Sequence, residues 1–170
     1  MSNPLSSQYG SEQDSPGFML WRVTNRWQAV IRAALRPFGL THVQFVLLAA
    51  LTWAQRELTQ IELAHQTRAD PMMTSQVLRA LEGKGLVERR EHPADGRARL
   101  LRVTPAGADL ARRANVAVEA ADQAFFGTQA TLPRSLVQHL AALDKRDDKR
   151  DGERHDERDS DRSGEPGPAS

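Results

Sequence analysis

The 170-residue chain contains no cysteine. That absence excludes a disulfide scaffold, a cysteine-ligated zinc site, a thiol nucleophile and a thiol redox switch. Long apolar runs are missing too. The longest, residues 45–54, is interrupted by Thr52, whereas a membrane-spanning helix needs about twenty residues. The start, Met1-Ser-Asn-Pro-Leu-Ser-Ser-Gln, has no basic stretch followed by an apolar one, so no signal peptide is expected. His42, His65, His92, His139 and His155 have no ligand spacing among themselves, and no metal site is expected. No phosphate-cradling glycine loop, pair of catalytic acids or Ser/His/Asp arrangement stands out. The expectation is a soluble cytoplasmic protein that is neither an enzyme nor a cofactor carrier and has no membrane partner.

An excess of one charge is lacking in the whole chain but not in its parts. The formal net charge is +1. Residues 144–170 hold seven basic and ten acidic side chains, which leaves residues 1–143 with a net of +4. The body is basic and the tail acidic. The tail shows no apolar periodicity and ends in Gly, Pro and Ser. It buries too little surface to offset the entropy of ordering, and is read as a disordered charged tail. Residues 1–15 are read as a flexible lead.

Between lead and tail the chain is periodic. Ser15-Pro16 is a helix start. Leu20, Val23, Trp27, Val30, Ile31 and Leu35 then recur at helical spacing up to Gly39, an apolar stripe on a helix over 16–38. Phe18 and Trp21 lie off that stripe, and the excess either packs internally or suits an interlocked dimer. Thr41-His42-Val43-Gln44 has capping-box spacing and opens a helix, apolar nearly all round, to about Trp53. Thr59-Gln60-Ile61-Glu62 repeats the signal. Asp70-Pro71 opens another helix that Gly83-Lys84-Gly85 ends. Two β-prone runs, 86–90 and 98–103, flank Asp95-Gly96 and predict a hairpin. Thr104-Pro105 starts a further helix with Leu110, Val118 and Phe125. Leu132, Leu136, Leu140 and Leu143 mark a last one.

A helix-turn-helix followed by a β-hairpin is the winged-helix plan. On the helix after Asp70, Met73, Val77, Ala80 and Leu81 are expected to pack inward, and Met72, Ser75, Gln76 and Arg79 to face out. Gln can bond adenine and Arg guanine in a major groove, and a helix N-terminus offers amides to phosphate. Alone, that outer face suits an ordinary solvated helix equally well. The hairpin adds Arg89, Arg90, Arg97, Arg99 and Arg102, five arginines in fourteen residues. Arg97 is at the turn, where a minor groove would favour its guanidinium. Glu88, Glu91 and Asp95 partly offset the charge, and Asp95 can pair with an arginine to shape the loop. A salt-bridged surface hairpin is the alternative.

The stretch Asp70-Pro-Met-Met-Thr-Ser-Gln-Val-Leu-Arg-Ala-Leu-Glu-Gly-Lys-Gly-Leu-Val-Glu-Arg-Arg is followed by Pro93-Ala-Asp-Gly-Arg and Val103-Thr-Pro-Ala-Gly. In order and spacing these resemble the MarR (multiple antibiotic resistance regulator) family of bacterial transcription factors, over residues 17–143. The resemblance implies a mainly α fold with a small β-hairpin: a winged helix-turn-helix over 41–103, with dimerisation helices at 16–38 and 104–143. It implies a homodimeric repressor that reads a palindromic operator in double-stranded DNA, on the nucleoid when bound. A small molecule, often an aromatic acid, releases it. Thr74, Ser75, Gln76 and Arg79 match the groove-facing helix, and Asp95 and Arg97 the wing tip. Arg89, Arg90 and Arg99 join them as DNA-binding candidates, and Trp21, His42 and Trp53 are the ligand-binding candidates. Two rivals stand beside this reading: a winged-helix scaffold for protein contacts, and a ligand-binding protein that has lost DNA readout.

Overall fold

A computed structural model describes residues 6–91, 99–127 and 134–144. The chain divides into two units, Met1–Phe126 and Gly127–Ser170. Of the second, the described part is a helix at 134–144 whose Leu136, Val137, Leu140 and Leu143 are exposed. The tail beyond it, Leu132 and the wing tip with His92, Asp95 and Arg97 lie outside the described residues.

The first unit begins with α1 (Pro16–Leu35), where Ser15 accepts from the Phe18 amide and Pro16 fills the first turn. A 3-10 turn, Arg36–Phe38, ends on Gly39 at φ 63°, a left-handed conformation that glycine adopts without a Cβ clash. Helix α2 (His42–Ala54) opens with the full capping box: Thr41 and Gln44 each donate a backbone N–H to the other's side chain, both at 3.2 Å. Phe45, Leu47, Leu48 and Leu51 of α2 are buried, and α1 and the three later helices, α3 (Gln60–Thr67), α4 (Pro71–Gly83) and α5 (Pro105–Phe126), all pack on it. The centre of the core is therefore the helix whose sequence is apolar nearly all round.

Helix α3 (Gln60–Thr67) carries the second capping box, with Glu62 as the reciprocal partner of Thr59. The Thr59 backbone N–H holds the Glu62 carboxyl below its ordinary range, helped by the Thr59 hydroxyl. Helix α4 (Pro71–Gly83) is capped by Asp70, and Gly85 at φ +67° turns the chain out of it. Strands β2 (Val87–Glu91) and β3 (Arg99–Val103) pair antiparallel, from Val87 opposite Val103 to Glu91 opposite Arg99.

The sequence reading did not foresee β1 (Leu58–Thr59), which pairs with β3 through Leu58 and Leu101 and makes the sheet three-stranded, in the order β1-β3-β2. Leu58 and Leu101 are both fully buried, so this two-residue strand pins the wing to the core.

The last helix of the unit, α5 (Pro105–Phe126), buries Gly107, Ala111, Ala114 and Val118. Its inner line is made mostly of small residues, where the sequence had drawn attention to Leu110, Val118 and Phe125. Leu110 and Phe125 are half-buried. In α1 only Ile31 and Leu35 of the expected stripe are buried, while Leu20 and Val23 remain exposed.

Candidate nucleic-acid interface

The buried face of helix α4 is displaced by one residue, about 100° of rotation, from the face its hydropathy suggested. Thr74, Leu78 and Leu81 are its buried residues, at the i, i+4, i+7 spacing of one face. Met73 and Ala80 are exposed and Val77 half-buried. Thr74, expected in the groove, is 0% exposed, and its Oγ1 donates to the Asp70 carbonyl at 2.8 Å. Its hydroxyl meets its hydrogen-bond need locally, which lets a polar residue join the core; it offers DNA no surface.

The outer ridge stands as expected: Met72, Gln76 and Arg79 are exposed and Ser75 half-buried. Arg79 Nη2 donates to Ser75 Oγ at 3.3 Å, so that guanidinium is already oriented along the ridge. The N-terminus of α4 differs from expectation. Asp70 Oδ1 takes the Met73 amide at 2.8 Å, and its carboxylate adds negative charge where a phosphate had been envisaged.

On the hairpin, Arg89 Nε lies 3.1 Å from Glu82 Oε2, with only 23% of the side chain exposed. It braces the strand against α4 and offers little to a phosphate. Arg90 lies 3.9 Å from Glu57 and 3.7 Å from Glu88, and Arg99 lies 2.7 Å from Glu91. Both arginines are about half exposed, and ion pairs that exposed contribute little, so a phosphate can displace their partners. Sequence reasoning passed over Lys84. Its Nζ donates to the Gly39 carbonyl at 2.8 Å and to Gln44 Oε1 at 3.2 Å, tying the end of α4 to the α1–α2 corner. No local pattern connects residues so far apart in the chain.

Two of the three ligand candidates, His42 and Trp53, do not converge. His42 and Trp53 stand at opposite ends of α2, eleven residues or about 16 Å apart. Trp53 is exposed beside a hollow of about 70 Å³ lined by Ala49, Thr52, Ala111, Arg112 and Asn115. Trp21 is exposed on α1. His42 packs edge-on against Trp27, ring centres 5.2 Å apart. Burial pushes the His42 pKa down, the Asp122 carboxylate opposes this and Arg32 adds to it. Trp27 Nε1 donates to Asp122 at 2.7 Å, a link between α1 and α5 that the sequence did not announce. Among the described residues no three His, Asp or Glu side chains gather as metal ligands, and no single helix is long and apolar enough to cross a membrane.

A helix-turn-helix with a three-stranded wing and a polar ridge on its second helix is the reading head of a transcriptional regulator. The MarR family model matches residues 40–98. The Bacillus subtilis (strain 168) uncharacterized HTH-type transcriptional regulator YdcH is 44% identical over 123 residues, covering 71% of this chain and 84% of that protein. The chain belongs to the MarR family. Among solved structures it is similar to CouR from Rhodococcus jostii bound to p-coumaroyl-CoA (27% identity, TM-score 0.70, covering 79% of this chain and 92% of that one). It is also similar to a mutant MarR from E. coli complexed with operator DNA (25% identity, TM-score 0.65, covering 76% and 91%).

Proposed function

We propose that this MarR-family transcriptional regulator is a homodimeric repressor. It reads a palindromic operator through the α4 ridge and the wing, acts in the cytoplasm, and lets go when a small organic acid binds. The observation that carries the reading is the exposed ridge of Ser75, Gln76 and Arg79 on α4, beside a hairpin whose Arg90 and Arg99 are about half exposed. Phosphate neutralisation by the wing would supply affinity, and base-edge contacts by Gln76 and Arg79 the choice of sequence. Asp95 and Arg97 would shape and insert the wing tip.

Dimerisation through 16–38 and 104–143 is supported by Phe18, Leu20 and Trp21, which are 44%, 54% and 68% exposed on one short length of α1. A patch of that kind marks an interaction surface. The small-molecule effector is supported by the similarity to CouR, a protein solved with an acyl-CoA bound. The test is a gel shift against the duplex upstream of the protein's own gene, with and without aromatic carboxylic acids. Binding should fall as salt rises, weaken in Arg97→Ala, and change base preference in Gln76→Ala. A chain that is monomeric, or ignores duplex DNA in dilute buffer, overturns the proposal.

A further inference from the structure

The geometry points to Met72 as a thymine-reading residue. Beside Gln76 on the ridge of α4, its thioether packs on the 5-methyl group of a thymine within about two base pairs of the adenine that Gln76 bonds. This rests on the reading that α4 enters a major groove.

Met72 is 73% exposed, among the most exposed large apolar side chains of the described residues. It occupies the second position of α4, two residues after the capping Asp70, and among the described residues little packs on it. Ile61 on α3, Trp53 on α2 and Val116 on α5 are open to a similar degree, at 80%, 72% and 70%, as is Trp21 on α1 at 68%, so exposure alone does not single Met72 out and its place on the ridge does. Met72 is on the reading head, in line with Ser75, Gln76 and Arg79 at i, i+3, i+4 and i+7. Ser75 and Arg79 are bonded to each other. Met72 and Gln76 are then the two ridge side chains whose reach is not already directed within the helix.

Four residues along a helix is about 6 Å, and stacked base pairs recur at about 3.4 Å. A helix lying along the groove therefore places these two side chains one or two pairs apart. The chemistries differ in a useful way. The Gln amide donates to adenine N7 and accepts from N6, while the thymine methyl is the apolar feature of the major-groove edge. An unbranched, polarizable thioether adapts its shape to such a methyl group. Cytosine lacks that methyl, so the contact favours an A·T pair at a position where no hydrogen bond is made.

Full-length protein would be used to select duplexes from a random pool, and each selected thymine would then be replaced singly by deoxyuridine, which removes the methyl and nothing else. Expected is one thymine per half-site, within two pairs of a selected adenine, whose replacement weakens binding about fourfold, the worth of one buried methyl. Met72→Leu should keep that discrimination. Met72→Gln should abolish it with the salt dependence unchanged, and Gln76→Ala should relax the adenine position while the deoxyuridine penalty persists. Indifference of the wild type to deoxyuridine at every position overturns the inference, as does a Met72→Gln protein that still discriminates. Selection of no duplex at all overturns the groove reading, and the inference with it.

Discussion

Arg89 reaches from β2 to the last turn of α4 and sets its Nε 3.1 Å from Glu82 Oε2. Its Nε and Nη2 are buried without an aligned hydrogen bond, so what holds the pair is charge attraction. The neighbouring Arg90 and Arg99 are 54% and 48% exposed, against 23% for Arg89. Of these three arginines, Arg89 is structural and Arg90 and Arg99 are available to phosphate. Arg89→Met keeps the packing of the aliphatic stem and should leave the salt slope of DNA binding unchanged. Arg90→Met and Arg99→Met should each lower that slope by about 0.9, one phosphate contact. Gel shifts across a salt series decide this; an equal loss of slope in Arg89→Met would return it to the interface.

The Thr-x-x-Gly step into α5 has a packing cause. Thr104 Oγ1 donates to the Gly85 carbonyl at 2.8 Å and accepts from the Gly107 amide at 3.0 Å. The Thr104 amide donates to the Leu86 carbonyl at 3.1 Å. A Cβ on Gly107 would collide with that same Leu86 backbone oxygen and crowd Val103. Backbone cannot swing aside as a side chain can. Gly107→Ala should therefore destabilise the fold by about 3 kcal/mol, the upper range for overpacking. Gly83→Ala, whose Cβ would meet nothing within 4 Å, provides the control. Urea melts of the two proteins make the comparison, and equal midpoints would refute the close approach.

Cap signals were legible in the sequence because they are local. Ser15, Thr41, Thr59 and Asp70 each needed only a partner three residues on, and each accepts that amide in the structure. The hairpin strands were legible from their β-prone runs and the turn between them. The phase of α4 was not. Its buried face contains a threonine, and hydropathy cannot see that the Thr74 hydroxyl bonds the Asp70 carbonyl. β1 is two residues long, too short to show alternation. Apart from Val118, the inner line of α5 is glycine and alanine, which carry little hydropathy although they permit the closest packing. Of the residues expected to face a groove, Ser75, Gln76 and Arg79 stand on the outer ridge; Lys84 and the Trp27–Asp122 bond depend on folding that no window of sequence contains.

His42 couples stability to pH. Burial lowers its pKa, Asp122 opposes and Arg32 assists, and Trp27 faces the ring. In the unfolded chain the imidazole returns to about 6.5. Below that value the unfolded chain takes up a proton that the folded one resists, so acidification favours unfolding. The contribution is complete above pH 6.5 or so, is lost as pH falls from there toward the folded pKa, and is flat below it. His42→Gln removes this component and the ring contact together. The ring contact is an offset at every pH, whereas the proton-linked part is not. The Tm advantage of wild type over His42→Gln should thus shrink between about pH 7.5 and about pH 5.5. An advantage that stays constant or grows would mean that His42 is not held neutral.

Leu20 tests the dimer most directly. It is 54% exposed, with Trp21 beside it at 68%. In a monomer, glutamate at an exposed helix position costs little, within about 0.5 kcal/mol. In an interface the same change buries a carboxylate without a partner, at a cost of several kcal/mol. The two cases separate cleanly by sedimentation. Leu20→Glu should shift the protein toward monomer at micromolar concentration, and Val116→Glu, 70% exposed on α5, probes the other helix of the proposed interface. If α1 alone forms the contact, only Leu20→Glu dissociates; if α5 shares it, both do. Loss of the dimer also separates the two reading heads, and with them the gain from binding two half-sites at once, on the order of a hundredfold or more. Operator affinity should fall accordingly in the dissociated variant, with base preference within one half-site intact. A Leu20→Glu protein that remains dimeric and binds as wild type would remove the N-terminal half of α1 from the interface.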